Sequence, residues 1–323
     1  MRLTFTITRF NPETDPHPHD EPYRLDVGRG MTVLDALIRI KHEQDGSLAL
    51  RYSCRSAICG SCAMDINGAE KLACRTSVRK ELERHRQVTV APLRNFPVIK
   101  DLVVDMTAFW DKVRAVTPWL SASPRSQSDQ PARQMTLSRD RYQFHNVDAC
   151  IMCGACVAAC TSHEVSRGFL GPAALAKADR FIADPREPVA AKQTRLRFLE
   201  QPDGIWDCTR CNFCVEVCPK DVQPMEAIIR LRRAAIEAGL TRSGGARHIT
   251  GFIGLIRLGG RLNEALMPLH VVGFNLRRLL RVVPLGLRML LKGKVPSPLA
   301  PPIPGIAQIR AIFNSLSRLT RIS

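Results

Sequence analysis

The chain opens with alternating apolar and polar residues. Leu3, Phe5 and Ile7 are separated by threonines, and this period of two predicts a half-buried β-strand. Residues 11–22 are rich in Pro, Asp and His, which predicts a loop before a second short strand over residues 23–27. We therefore expect the chain to begin with two strands.

A helix with a capping signal follows these strands. Thr32 and Asp35 have the spacing of a capping box, in which two side chains satisfy free backbone N–H groups at the start of a helix. The apolar residues behind the cap fall on one helical face: Val33, Leu34, Leu37 and Ile38. Further along, Asn67-Gly68 predicts a tight hairpin turn, and residues 88–93 predict a closing strand. Residues 1–95 thus form one small mixed domain.

Beyond residue 95 the apolar residues are spaced as in a helix. Four apolar residues recur at helical spacing: Leu102, Val103, Met106 and Trp110. The Pro- and Ser-rich residues 121–131 predict a linker or surface loop. After it, helices are predicted near residues 173–184 and 224–238, so the second half of the chain is expected to be helical.

The C-terminal tail has a basic amphipathic pattern. Within residues 271–292, cations fall at i, i+4, i+11 and i+15: Arg277, Arg281, Arg288 and Lys292. Apolar residues repeat on another face of this predicted helix, which is kinked at Pro284: Leu276, Leu280, Val283, Leu287 and Leu291. Pro-rich residues 295–304 separate it from a shorter predicted helix over residues 306–320. Packing against a partner subunit and contact with anionic lipid both remain open, because both use the same face.

The charge of the chain is concentrated in this tail. The 323 residues carry a net charge of +17, and residues 241–323 hold 13 Lys and Arg against one acid, Glu264. High basicity invites a nucleic-acid interpretation, but no helix-turn-helix, RNA-binding signature or basic–aromatic pattern is present, so we expect no nucleic-acid partner. No apolar stretch reaches about 18 residues, so a spanning helix is not expected. The length predicts two or three domains.

The 12 cysteines divide into three groups of four. The first group has the x4, x2 and distant-cysteine spacing of plant-type 2Fe-2S centres: Cys54, Cys59, Cys62 and Cys74. Gly60 and Ser61 are small, which lets backbone N–H groups approach the cluster sulfurs. No thiol is left over and nothing at the N-terminus directs secretion, so we expect a reducing compartment.

The other eight cysteines form two runs with the same x2, x2, x3 spacing. The first run is Cys150, Cys153, Cys156 and Cys160, and the second is Cys208, Cys211, Cys214 and Cys218, followed by Pro219. This spacing places three thiolates on one loop and the fourth a helical turn away, where it binds the other cluster. We therefore predict a 4Fe-4S cluster on Cys150, Cys153, Cys156 and Cys218, and a second on Cys208, Cys211, Cys214 and Cys160.

Zinc sites and disulfides are the alternatives for these runs. Zinc takes four ligands, usually as two short pairs, and has no use for a third cysteine two residues on, repeated twice. Disulfides are disfavoured because the thiols are crowded on short loops of a chain expected in a reducing compartment. Both patterns therefore favour iron-sulfur clusters.

Several motifs of the chain resemble the iron-sulfur subunit of succinate dehydrogenase and fumarate reductase. They are Ser53-Cys54-Arg55, Cys59-Gly60-Ser61-Cys62, Leu72-Ala73-Cys74, the block at residues 96–106, the Cys150 run, Gly171-Pro172-Ala173 and Cys218-Pro219-Lys220. The resemblance covers about residues 1–240, with three cluster patterns in the family's order. It implies an electron-transfer subunit, not catalytic alone, that connects an FAD-containing flavoprotein acting on succinate or fumarate to membrane anchor subunits and, indirectly, a quinone.

The resemblance and the residue patterns together imply an α+β fold class. The expected domains are a β-grasp 2Fe-2S ferredoxin domain, a connecting helix and linker, an all-helical two-cluster ferredoxin domain and a helical basic extension: residues 1–95, 96–138, 139–240 and 241–323. We expect a peripheral subunit on the cytoplasmic face of the cell membrane. No dinucleotide fingerprint, flavin attachment motif or nucleophile arrangement appears, so the dicarboxylate chemistry belongs to another chain.

Several positions depart from the usual family pattern. Usual members have a non-cysteine residue in place of Cys211, and their third centre is a 3Fe-4S cluster. The cysteine here implies a 4Fe-4S centre, as in a non-standard branch of the family, and we expect it to have a lower potential. The usual Trp, Pro and His around the quinone pocket correspond to Val165, Thr161 and Thr209, which implies a different handover. The alternatives are a subunit of a heterodisulfide reductase-like or other flavin oxidoreductase, and a cluster-based redox sensor.

Overall fold

The computed structural model describes residues 2–121, 146–273, 276–294 and 301–319, together with Ser297 and Leu299. Most of the predicted linker at residues 121–131 lies outside these residues. The chain divides into two units, Met1–Ala234 and Ala235–Ser323, which are described separately.

A five-stranded mixed sheet forms around the predicted N-terminal strand. Its order is β2-β1-β5-β3-β4, with β1 and β5 parallel and the other pairs antiparallel. Phe5 and Ile7 of β1 are fully buried, which confirms the strand predicted from alternation. The strands are β1 (Arg2–Arg9), β2 (His19–Asp26), β3 (Ala63–Ile66), β4 (Ala69–Leu72) and β5 (Val88–Ala91).

Helix α1 (Val33–Glu43) packs on this sheet and completes its core. The predicted capping box is present: Asp35 N–H donates to Thr32 Oγ1 at 3.1 Å, and Thr32 N–H donates to Asp35 Oδ2 at 3.0 Å. Five α1 residues are buried against the sheet: Val33, Leu34, Ala36, Leu37 and Ile40. A mixed sheet grasping one helix is the predicted β-grasp arrangement, with a short helix α2 (Val78–His85) before β5.

The β3–β4 turn is the one predicted from Asn67-Gly68. Both residues have left-handed backbones, with φ of 54° at Asn67 and 78° at Gly68, as a type I′ turn requires. The Asn67 side chain also accepts the Thr89 N–H at 2.8 Å and donates to the Gln87 carbonyl at 3.1 Å. The turn is thereby fixed to β5, and the chain returns along β4 toward Cys74.

The spacing of Leu102, Val103, Met106 and Trp110 predicts a helix, and this prediction is wrong for the first two residues. A small hairpin, β6 (Val98–Lys100) and β7 (Val103–Val104), precedes helix α3 (Thr107–Ala115). The buried Asp101 carboxylate fixes the hairpin turn, because it accepts the Phe10 and Ala49 N–H groups and the Arg9 guanidinium. Leu102 is buried by that turn, which the apolar spacing alone did not indicate.

The rest of the first unit is helical, as predicted. Its helices are α4 (Ala155–Ala158), α5 (Thr161–Val165), α6 (Pro172–Ile182), α7 (Val189–Leu199), α8 (Phe213–Glu216) and α9 (Pro224–Glu237). The helices expected near residues 173–184 and 224–238 are α6 and α9. A strand-rich part followed by a helical part confirms the α+β class.

The second unit has two helices that the sequence did not predict, α10 (Gly244–Gly259) and α11 (Met267–Val272). A Cβ built on Gly251 would lie 2.7 Å from the His270 Cβ, so only glycine lets α10 and α11 approach this closely. Helices α12 (Leu276–Leu291) and α13 (Ile306–Leu319) match the two predicted tail helices, with Pro284 inside α12. Among the described residues, no helix is long and apolar enough to cross a membrane.

A buried ion pair fixes the end of α3 to α7. Glu187 accepts Arg195 Nη2 at 2.9 Å and the Ser121 N–H at 2.9 Å, and Arg195 donates to the Trp119 carbonyl at 2.7 Å. Breaking a buried pair by removing one partner leaves an uncompensated charge. Glu187→Leu should therefore lower the free energy of unfolding by about 3–5 kcal/mol, measured by urea unfolding.

The matched control for this pair is Glu43→Leu, which breaks the exposed Arg39–Glu43 ion pair on α1. Because both partners of that pair remain solvated when it is broken, the urea midpoint should hardly move. Equal midpoints for the two variants would contradict the role of the Glu187–Arg195 pair.

Candidate metal centres

The first cysteine group lies on a loop that aims backbone N–H groups at sulfur. Arg55 and Ala57 both have φ of 55°, which turns the loop back on Cys54. Three N–H groups donate to the Cys54 Sγ at 3.3 Å: those of Ser56, Ile58 and Cys59. Such N–H groups stabilise thiolates and cluster sulfurs.

The four thiols of this group differ in environment. Hydrogen bonding by the Ser61 hydroxyl, supported by backbone N–H groups, lowers the pKa of Cys59 to about 6. Burial raises the pKa of Cys62 to about 12, and Cys74 lies close enough to contribute. Cys62 precedes β3 and Cys74 follows β4. The open end of this hairpin is closed by the Ala73 N–H, which donates to the Cys62 carbonyl at 3.0 Å. The hairpin therefore carries Cys74 back to the Cys54 loop.

The Cys54 loop packs directly on the first cysteine run. A Cβ built on Gly60, whose φ is +75°, would lie 2.9 Å from the Cys153 Cβ and 3.0 Å from the Ile151 carbonyl oxygen. Any larger residue would separate the two loops. The role assigned to Gly60 from sequence, close backbone approach, thus extends to the neighbouring cysteine run.

The first three cysteines of the first run share a cavity with the last cysteine of the second run. Cys150, Cys153, Cys156 and Cys218 line it together with small apolar residues such as Ala173, Ala176 and Val222. Burial raises the pKa of Cys153 to about 11 and that of Cys156 well above its ordinary value. The thiolates of Cys150 and Cys218 add to the effect at Cys153.

Cys160 lies with the second run instead. Burial raises its pKa, and the thiolates of Cys208 and Cys211 add to this shift. Burial likewise raises the pKa of Cys214 to about 12, with contributions from Cys208 and Cys160. Cys160 is thus near the thiols of the second run, as the predicted crossed groups require, and the ligand assignment itself stays a prediction. No three His, Cys, Asp or Glu side chains in the described ranges converge tightly enough to hold one single metal ion.

The two runs have the same backbone geometry. Each begins after a 3₁₀ turn, Val147–Ala149 or Ile205–Asp207, and each enters a four-residue helix, α4 or α8. Left-handed residues fall at matching places: Met152 at φ 56° and Gly154 at 84° in the first run, Arg210 at 59° and Asn212 at 73° in the second. Each loop thus presents its first three sulfurs in the same way.

Thr161 and Thr209, two of the residues that depart from the usual family pattern, both lie beside Cys211. The Thr161 hydroxyl lies 3.6 Å from the Cys211 Sγ, and the Thr209 side chain also hydrogen-bonds this sulfur. Partial burial acts to raise the pKa of Cys211, but the Phe213 N–H and these hydroxyls outweigh it and lower the pKa. Cys211 is exposed, and Val165 is 90% exposed on the adjacent helix α5.

Sequence reasoning missed two residues that fix the cysteine runs. The Asn95 side-chain amide donates to three carbonyls at the end of the first run: Val157, Ala158 and Cys160, at 3.1, 2.9 and 3.2 Å. The buried Arg232 guanidinium donates to the Ile205 and Cys208 carbonyls at 2.8 and 2.6 Å and lies over the Trp206 ring. No motif marks either residue, because their partners are backbone oxygens distant in sequence.

Comparison with known proteins gives a consistent assignment of the two halves of the first unit. Residues 4–111 match the 2Fe-2S iron-sulfur cluster binding domain family, and residues 146–222 match the 4Fe-4S dicluster domain family. The fumarate reductase iron-sulfur subunit of Haemophilus influenzae is 38% identical over 235 residues, which span 70% of this chain and 90% of that protein.

A plant relative and a solved structure extend this comparison. The mitochondrial succinate dehydrogenase [ubiquinone] iron-sulfur subunit 1 of Oryza sativa subsp. japonica is 37% identical over 239 residues, covering 73% of this chain and 83% of that protein. A chain of the Mycobacterium smegmatis Sdh1 complex in the apo form superposes with a TM-score of 0.64 at 27% identity, covering 73% of this chain and 96% of that one. With its 2Fe-2S and 4Fe-4S dicluster domains, this chain belongs to the family of succinate dehydrogenase and fumarate reductase iron-sulfur subunits.

Proposed function

We propose that this chain is the electron-transfer iron-sulfur subunit of a succinate dehydrogenase or fumarate reductase complex. In this role it connects an FAD-containing flavoprotein subunit with a membrane anchor subunit and, through that subunit, a quinone. The observation that carries the proposal is the contact of the Cys54 loop with the first cysteine run through Gly60, beside a second run that exchanges its last cysteine with the first. Three centres held in such close succession suit electron transfer within one chain.

The proposed ligands follow these groups. Cys54, Cys59, Cys62 and Cys74 hold a 2Fe-2S cluster; Cys150, Cys153, Cys156 and Cys218 hold a 4Fe-4S cluster; and Cys160, Cys208, Cys211 and Cys214 hold a second one. The donor sets fit, because each has four thiols and soft thiolates suit iron-sulfur clusters. Each bound cluster would supply one-electron redox chemistry.

The remaining residues of these sites orient sulfurs and exclude water. The loop N–H groups around Cys54 stabilise its thiolate, and the apolar lining around Cys156 keeps water from the first run. Arg232 holds the carbonyls at the start of the second run and brings a positive charge near Cys208. The Asp207 carboxylate also lies near this charge, so Arg232 is placed between a carboxylate and the first thiol of the second run.

A four-iron third centre is part of this proposal, with a 3Fe-4S centre as the alternative. The Cys211 thiol faces the same group as Cys160 and Cys214 and has a lowered pKa, which favours a thiolate ligand. We infer that this centre has a lower potential than a three-iron one and hands electrons over differently, since Val165, Thr161 and Thr209 replace the usual pocket residues.

The proposal includes the domain division and the location. The domains are residues 1–95, 96–138, 139–240 and 241–323, as expected from the sequence. The subunit is placed at the cytoplasmic face of the cell membrane as a peripheral protein. The domain division is supported by the order of a strand-rich part and then a helical part along the chain, and the membrane location by the basic character of residues 241–323.

The test is a native pull-down of this chain from solubilised membranes. A co-purifying flavoprotein that oxidises succinate with an artificial acceptor is the expected result. A flavoprotein without that activity would move the assignment to a heterodisulfide reductase-like or other flavin oxidoreductase. Failure to recover any flavoprotein would overturn the proposal and favour a redox sensor. A preparation from cells lacking this chain is the matched control.

A further inference from the structure

Helix α12 of the second unit exposes a continuous apolar face. Five of its side chains are largely exposed: Leu280 (61%), Val283 (51%), Leu287 (56%), Leu290 (61%) and Leu291 (79%). At about 100° per residue, these five positions fall within an arc of about 100°. An exposed apolar stripe of this kind marks an interaction surface.

Four cations lie to one side of this apolar face. Arg277, Arg281, Arg288 and the adjoining Lys292 are all exposed. Their positions fall within an arc of about 60°, whose centre lies about 120° from that of the apolar stripe. Leu285, also exposed, lies beside the cations. No Asp or Glu occurs after Glu264, so residues 265–323 offer these cations no carboxylate side chain.

The rest of the second unit leaves this stripe uncovered. Helix α10 packs against α11 and α13, and a Cβ built on Gly260 would lie 2.4 Å from Ile303, which shows how closely the segment before α13 approaches. In the described part of this unit, α12 takes no comparable part in the packing, and the five side chains of its stripe remain exposed. Its occupant therefore comes from outside the described part of the unit.

We propose that α12 lies flat in the surface of an anionic lipid bilayer. The apolar stripe would enter the boundary between headgroups and acyl chains, and the four cations would reach back to lipid phosphates along their apolar stems. The 16 residues of α12 extend about 24 Å, too short to span the roughly 30 Å hydrocarbon core but suited to lying in its surface.

Charge favours lipid over a protein partner as the occupant. Cores of protein interfaces are depleted in charged residues, and their ion pairs need both signs. A layer of anionic headgroups instead matches a surface whose only charges are cations. Each cation raises the affinity for such a layer about fivefold. The inference does not depend on which substrate the complex oxidises or reduces.

Vesicle co-sedimentation of the full-length chain with its clusters tests this proposal. The probes are phosphatidylcholine vesicles with and without phosphatidylglycerol, at low and high salt. We expect binding only with phosphatidylglycerol, and weaker binding at high salt. Replacing the four cations by glutamine (R277Q, R281Q, R288Q and K292Q) should weaken binding on the order of a hundredfold or more. Leu287→Ser together with Leu291→Ser should weaken it without changing its salt dependence.

The matched control removes four exposed cations from the first unit: R24Q, K80Q, R84Q and R86Q. This control should retain most of the binding, and the visible absorption of the clusters should stay unchanged in every variant. Equal binding to both kinds of vesicle, or equal losses in the control and in the α12 cation variant, would overturn the proposal. Loss of the flavoprotein from the complex with no change in vesicle binding would assign α12 to a protein partner instead.

Discussion

Replacing Cys160 by alanine should remove the cluster of the second cysteine run, although Cys160 belongs to the first run. The Cys160 thiol faces Cys208 and Cys211, whose thiolates help to raise its pKa beyond the effect of burial. Conversely, Cys218→Ala should remove the cluster of the first run, since Cys218 lines the cavity of Cys150 and Cys156. Each variant should lose about four irons per chain.

Iron content alone does not tell which cluster is lost, so two reference variants are needed. Cys156→Ala disrupts the first-run site and Cys214→Ala the second-run site, whichever way the fourth ligands are exchanged. The EPR spectrum of the reduced Cys160→Ala chain should match that of Cys214→Ala, and Cys218→Ala should match Cys156→Ala. The opposite matching would mean that each run keeps its own fourth cysteine.

The parts of the fold that were predictable from sequence are those decided by local chemistry. Thr32 and Asp35 form their capping box from residues within one turn, and Asn67-Gly68 adopts the left-handed backbone that its residue types tolerate. The cysteine groups belong here too, because spacing within a loop limits which sulfurs can point to one place. In the cap, the turn and each three-cysteine loop the interacting groups are neighbours in sequence, and only the fourth cysteines, Cys160 and Cys218, meet distant partners.

The parts that were not predictable depend on distant partners. The β6–β7 hairpin replaces a predicted helix because the Asp101 carboxylate is satisfied by Arg9, Phe10 and Ala49, about 50 to 90 residues away. Helix α10 was missed because its glycines lower helix propensity, whereas Gly251 is needed for contact with α11. Asn95 and Arg232 gave no signal because they bind carbonyls, which every residue has.

Replacing Cys211 by serine should convert the third centre to a three-iron cluster or abolish it, while the 2Fe-2S signal remains. Cys211 is exposed, in contrast to the buried Cys160 and Cys214 of the same group. Loss of its sulfur therefore leaves the packing of the second run largely intact, and three thiolates remain to hold three irons. The iron content should fall by about one to four per chain.

EPR of the oxidised protein separates these outcomes, because an oxidised three-iron cluster is paramagnetic and an oxidised four-iron cluster is silent. Arg210→Asn is the matched control: it changes the exposed neighbour of Cys211 to a residue that tolerates its φ of 59°. The control should keep the full iron content and no oxidised signal. If Cys211→Ser and also Cys211→Ala, which puts no hydroxyl in place of the sulfur, kept every iron and stayed silent, Cys211 would not be a ligand. The third centre would then need another fourth ligand, such as the Thr161 or Thr209 hydroxyl beside it.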